Sequence, residues 1–278
     1  MPSKSEVTKL VDEILASANA AGSRELAAWQ HPQRDIRRLA RRDYAPSLRK
    51  RLGRNELRDV LRAARRVFPE LNRDHSPWLI NQWVGEAQPI WLANLFSSIS
   101  EKLGVHFQST PFRGPEGLAL RGFFVNRHQA SLKRPLIYVN TAHHPVAAAA
   151  TFFHEVGHFL AAELFVDTDE GVHFFFDADY ASHLDDLEEL TADIVLSLIA
   201  YPAPVAKKIF NTPWKWDALA NLNPLTDEVF AQVGEHFRVR FGVILSSADL
   251  PPRRKLNYLA GMIHFAKLRG TLLAEYGI

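Results

Sequence analysis

Residues 151–158 read Thr-Phe-Phe-His-Glu-Val-Gly-His, with His154 and His158 four apart and Glu155 beside the first. On a helix a spacing of four puts two side chains on one face, one turn apart. Two imidazoles so placed can bind one zinc ion, and Glu155 then lies where it can take a proton from an activated water. A zinc hydrolase of this kind needs a third protein ligand and leaves a fourth position open.

The stretch Glu188-Glu189-Leu190-Thr191-Ala192-Asp193 offers that ligand. Glu189 on a second helix would supply a carboxylate oxygen. Asp193, one turn later, would accept a hydrogen bond from a ligand histidine and so fix its tautomer and orientation. Glu188 has Ala192 four residues on and lacks such a partner. The acids Asp185, Asp186, Glu188 and Glu189 also suit the positive end of a helix dipole, whether or not a metal is involved.

The elements that must position these residues can be read around them. Pro145 opens an alanine-rich helical stretch that runs through the His-Glu-x-x-His motif to about Phe165. Ahead of it, Gly104–Gln108, Leu118–Asn126 and Leu136–Asn140 are short, rich in β-branched or aromatic residues, and separated by Pro/Gly turns or a basic loop. They predict three antiparallel strands. Val7, Leu10, Val11, Ile14 and Leu15 recur at helical spacing within 5–30, and further helices are predicted over 33–43 and 47–68. Gly53, between two short helical stretches, hints at a helix-turn-helix. Trp78, Trp83 and Trp91 suggest core packing. After Pro202, Pro204 and Pro213, helical patterns return at 225–240 and 253–275.

Residues 166–184 between the two ligand-bearing helices read as a loop forming one wall of a substrate cleft. Within it Tyr180, His173 or His183 could stabilise the oxyanion of a tetrahedral intermediate.

The chain has 278 residues, 47% of them hydrophobic and 23% charged, enough for one large domain or two small ones with a real core. With no cysteine there is neither a disulfide scaffold nor a thiolate metal site, which suits a reducing cytoplasm. Met1–Glu6 begins no apolar signal region and no apolar run approaches a membrane span, so no membrane association is expected. The net charge of +2 hides an asymmetry: residues 24–73 hold fifteen Lys/Arg against six Asp/Glu, and residues 151–200 hold twelve Asp/Glu with no Lys or Arg. Such segmental charge speaks to partners. The run from Arg34 to Arg66 reads first as a solvated helical face, with nucleic-acid phosphates as a second possibility.

Three stretches together resemble the ImmA/IrrE metallopeptidases. They are Pro135-Leu136-Ile137-Tyr138-Val139-Asn140, Thr151–His158, and Glu189-Leu190-Thr191-Ala192-Asp193 running on to Pro202. Asp193 stands where that family usually has Asn, and Tyr201 where it has Met. The Glu-x-x-Ala-Asp form is shared with other zinc peptidases whose third ligand is Glu. The resemblance covers roughly residues 104–205. It implies a zincin-like α+β core, with helices packed on a small sheet of about three antiparallel strands. A basic helical extension over 1–100 would precede a metallopeptidase domain over 101–278. It further implies a zinc-dependent endopeptidase acting on a cytosolic protein, commonly a basic DNA-binding repressor in a stress or mobile-element response. A DNA-binding regulator or toxin–antitoxin component with a structural metal site is the alternative expectation.

Overall fold

The computed structural model describes residues 4–28, 32–68, 89–112, 120–126, 133–165, 172–176, 183–201, 206 and 252–278. The chain divides into two compact units. One takes residues 1–30 and 87–178, the other 31–86 and 179–278. The helices expected as a single extension over 1–100 are thus shared between the two. The reason is where their apolar faces are covered, as each unit shows.

In the first unit, α1 (Lys4–Ala28) and α5 (Pro89–Leu103) accompany a four-stranded sheet and the helix α6 (Pro145–Leu164). The strands are β1 (His106–Thr110), β2 (Leu120–Val125), β3 (Leu136–Asn140) and β4 (Val172–Phe176), in the spatial order β1-β3-β2-β4. All five residues of β3 are buried, as a strand covered on both faces requires. Val7, Val11, Ile14 and Leu15 of α1 pack with Phe123, Val125, Leu136 and Tyr138 on one face. On the other lie α6 and α5, where Phe96 stacks on Phe152 at 4.2 Å between ring centroids and meets Phe107 edge-on at 5.7 Å.

Two expectations about this sheet are corrected. It is mixed: β1 pairs with β3 in parallel, while β2 is antiparallel to both β3 and β4. Consecutive strands β1 and β2 are not neighbours, because β3 inserts between them. The connection from Thr110 to Leu120 is long enough to skip a strand position, which a tight hairpin is not. The second correction falls in 166–184, read from sequence as a loop. Its Val-His-Phe-Phe-Phe run forms β4, an edge strand paired with β2 from Val125↔Val172 to Leu120↔Phe176. The β-branched and aromatic composition was the signal; the acidic residues before it masked it.

The second unit, among the described residues, is helical. It holds α2 (Pro32–Arg41), α3 (Ala45–Arg51), α4 (Arg54–Val67), a 3₁₀ turn at His183–Asp185, α7 (Leu187–Ala200) and α8 (Pro252–Tyr276). Helix α8 packs on α2 and α7, and α4 packs on α7. The stretch expected as one helix over 47–68 is broken at Gly53 into α3 and α4. Leu57, Val60, Leu61, Ala63 and Ala64 of α4 are buried, whereas Arg58, Arg62, Arg65 and Arg66 are exposed. This is the amphipathic split that 3.6-residue periodicity produces. Two bonds tie α8 to its neighbours: Lys267 Nζ donates to Ala40 O at 2.6 Å, on the last turn of α2, and the buried Arg269 Nε donates to Tyr201 O at 2.8 Å. A cation at the carboxyl end of α2 answers both the orphaned carbonyl and the helix dipole.

The helical pattern at 225–240 and the tryptophans at 78 and 83 lie outside the described residues. Among those described, no helix is long and apolar enough to cross a membrane.

Candidate metal centre

Helix α6 starts at Pro145, where a missing N–H and a fixed φ suit the first helical position. The chain reaches it through Asn140, the buried last residue of β3, whose amide is fully used. Asn140 Nδ2 donates to Phe112 O and Leu120 O at 3.0 and 2.8 Å, while Oδ1 accepts from Phe112 N and Ala142 N at 2.8 and 3.0 Å. One side chain thereby joins the ends of three strands and sets the direction in which α6 departs.

Along α6, Thr151, His154, Glu155 and His158 are all buried. His154 Nε2 and His158 Nε2 approach to 3.1 Å. Two nitrogens bound to one tetrahedral zinc at about 2.0–2.1 Å would stand about 3.3 Å apart, so the two ring atoms converge at nearly the ligand spacing. The His158 ring lies 9° from parallel to that of Phe124 on β2, at 6.4 Å between centroids. The helix comes this close to the sheet because β2 carries Gly122 opposite it. A Cβ at Gly122 would meet Thr151 Cγ2 at 2.5 Å, Tyr138 O at 2.6 Å and Glu155 Oε1 at 3.3 Å. The glycine is required here for close approach, and it leaves the space that the Glu155 carboxylate occupies.

Glu189 belongs to the other unit, in the first turn of α7. Asp186 caps that helix, its Oδ1 accepting from Glu188 N at 2.8 Å and Glu189 N at 3.1 Å. The acidic start thus has a capping function, as helix-end chemistry alone suggested. One turn later Asp193 is fully buried. Its Oδ2 lies 2.7 Å from His264 Nε2 and 3.1 Å from His183 Nδ1. The far nitrogen of His264, Nδ1, is 3.0 Å from the hydroxyl of Tyr44, itself buried. Burial pushes the Tyr44 phenol far above its ordinary range, with Arg42 opposing and Asp193 reinforcing the shift, so it stays a neutral hydroxyl.

The structure therefore brings His154, Glu155 and His158 together on α6, and His183 and Asp193 together in the second unit. His183 Nδ1 is also 3.6 Å from Glu189 Oε2. The sequence predicts a ligand histidine as the partner of Asp193; the structure places His183 and His264 at its carboxylate. His264 and Tyr44 escaped the sequence reading, since no spacing links residues so distant to Asp193. Of the oxyanion candidates, Tyr180 lies outside the described residues, and His173 is placed by the backbone of β4 opposite Phe124.

Buried groups of His, Glu and Asp side chains that could hold a metal ion are present, His183, Asp193 and His264 forming one of them. Comparison of the chain with family models, with curated proteins and with solved structures finds no match.

Proposed function

We propose that the protein is a zinc-dependent metallo-endopeptidase, with His154, His158 and Glu189 as metal ligands and Glu155 as general base. The observation that carries this reading is the convergence of two buried imidazole nitrogens at 3.1 Å with a carboxylate on the adjacent residue of the same helix. Two imidazoles and one carboxylate are a donor set suited to zinc with an open fourth position. The motif resemblance to ImmA/IrrE peptidases supports the same conclusion.

A zinc ion held there supplies Lewis acidity, lowering the pKa of water and polarising a carbonyl. The chain's own residues do the rest. Glu155 takes one proton from the attacking water as its oxygen bonds to the scissile carbonyl carbon. It then gives that proton to the amide nitrogen as the C–N bond breaks, leaving a carboxyl and an amine. Burial of Glu155 between α6 and β2 holds the carboxylate in one place and keeps bulk water from competing for the proton. His183 remains the candidate for stabilising the carbonyl oxygen among residues the structure describes, with Tyr180 beside it from sequence alone.

The substrate we infer is a protein with a basic segment, such as a DNA-binding repressor, because residues 151–200 carry twelve acids and no Lys or Arg. A cytoplasmic setting fits the absence of cysteine.

The deciding experiment is metal analysis of purified protein, with hydrolysis of a dye-quenched casein followed before and after a chelator. One zinc per chain and chelator-sensitive cleavage is the expected outcome. Protein that takes up no zinc at saturating metal would overturn the reading.

A second reading, a regulator that acts by binding DNA, draws on the exposed arginines of α4 at positions 58, 62 and 65, spaced along one helical face. Duplex binding whose affinity falls steeply with salt, unaffected by Glu155→Gln, would favour it.

A further inference from the structure

Four side chains from four elements of the second unit lie in sequence: Tyr44 before α3, His264 on α8, Asp193 on α7 and His183 in the 3₁₀ turn. Their protons can be placed from the acceptors. A carboxylate only accepts, so the ring atoms facing Asp193, Nε2 of His264 and Nδ1 of His183, both carry hydrogen. His264 Nδ1 is then an acceptor, and Tyr44, a neutral hydroxyl, donates to it. Every proton in the chain points towards Asp193. Three of the four members, Tyr44, Asp193 and His264, are at most 1% exposed, where a hydrogen bond is strengthened by the low dielectric and a missing one is costly. The separation of 2.7 Å between His264 Nε2 and Asp193 Oδ2 is a charge-assisted hydrogen-bond length. It is well short of the about 3.3 Å that two ligand atoms keep on a tetrahedral zinc.

The chain ends beside Glu189. His183 Nδ1 gives its hydrogen to Asp193 at 3.1 Å and stands 3.6 Å from Glu189 Oε2, an ion-pair rather than a hydrogen-bond distance, and Glu189 and Asp193 are one turn apart on α7. We propose that Tyr44, His264, Asp193 and His183 form a positioning relay for Glu189, the third metal ligand in that reading. The inference rests on the reading of Glu189 as a ligand. In it, Asp193 acts through His183 and Glu189 rather than on a metal-binding histidine. Ligating carboxylates are ordinarily held by outer partners whose loss lowers metal affinity about 10- to 100-fold. The effect should decline along the relay, from His183 through His264 to Tyr44, as each added link gives the ligand more room to relax.

The test is zinc affinity of the full chain, measured by competition with a chromophoric chelator, with melting temperature recorded for each variant. Glu189→Gln sets the scale of a lost ligand. We expect His183→Ala to weaken zinc about 10- to 100-fold, His264→Gln about tenfold and Tyr44→Phe by a few-fold. In a Glu189→Gln background, His264→Gln should weaken it no further, because the two act through one ligand. Tyr44→Phe removes only a hydroxyl and preserves packing, so it stands if His264→Gln fails to fold. Affinities unchanged in the His183, His264 and Tyr44 variants, with Glu189→Gln weakened, would overturn the relay and leave the ligand assignment intact. Zinc binding indifferent to Glu189→Gln would overturn the ligand assignment and the relay with it. Uptake of a second zinc equivalent, lost in His264→Gln, would overturn the relay in favour of a metal site at Asp193.

Discussion

The two compact units organise buried polar groups in opposite ways. In the first, His154, Glu155 and His158 share one helix, and their relative placement follows from helical geometry. The sheet contributes by coming close: Gly122 gives way, Phe124 lies along the His158 ring and Asn140 aims the helix. In the second, each polar group comes from a different element, and Tyr44 and His264 are 220 residues apart. No local geometry brings them together; the packing of α8 on α2 and α7 does. A site written along one helix tolerates repacking around it. A site assembled from four elements exists only while all four keep their places, so remote substitutions should reach it more easily.

That contrast can be broken by experiment, beginning where the effect should be largest. Glu155→Gln should leave zinc content unchanged while lowering casein hydrolysis by about 100- to 10,000-fold, the usual contribution of a general base. Turnover near the wild-type rate would remove Glu155 from the chemistry and with it the case for the first unit as the reacting one.

Gly122→Ala probes how the sheet serves the helix. The added methyl would stand 2.5 Å from Thr151 Cγ2 and 2.6 Å from the backbone oxygen of Tyr138. Overpacking of this kind typically costs about 1–3 kcal/mol, so urea denaturation should show a lower midpoint with little change in slope. Thr151→Ser in that background removes one of the two clashes and should recover part of the loss. If Gly122→Ala is as stable as wild type, the close approach of α6 to β2 is not what fixes the helix.

The smallest effect expected is electrostatic. Matched peptides of opposite net charge should be cleaved at different rates at low ionic strength, the basic one faster. The gap should narrow as salt shortens the screening length to below about 8–10 Å. Equal rates at low salt would make the acids of 151–200 a solubilising surface. Set beside the zinc affinities of the relay variants, these measurements ask whether the units differ as their geometry says: one sensitive to its own helix, the other to substitutions far along the chain.

The sequence by itself determined what depends on short spacing. The pairing of His154 with His158 and the adjacency of Glu155 needed only the helical repeat. The start of α6 at Pro145 and the acidic opening of α7 likewise followed from properties of single residues and their neighbours. The three strands before α6 were legible from composition, but their order was not. Parallel pairing of β1 with β3 depends on which edge of β3 is left open, and that is a property of the assembled sheet. Strand β4 has the composition of a strand, but the acidic residues ahead of it hide that signal, and pairing with β2 decides it. The partners of Asp193 were beyond sequence altogether. A carboxylate one turn from Glu189 signals that something will bond to it, and only the packing of α8 against α7 decides that His264 does. Burial makes such a bond obligatory, and the tertiary fold chooses the donor.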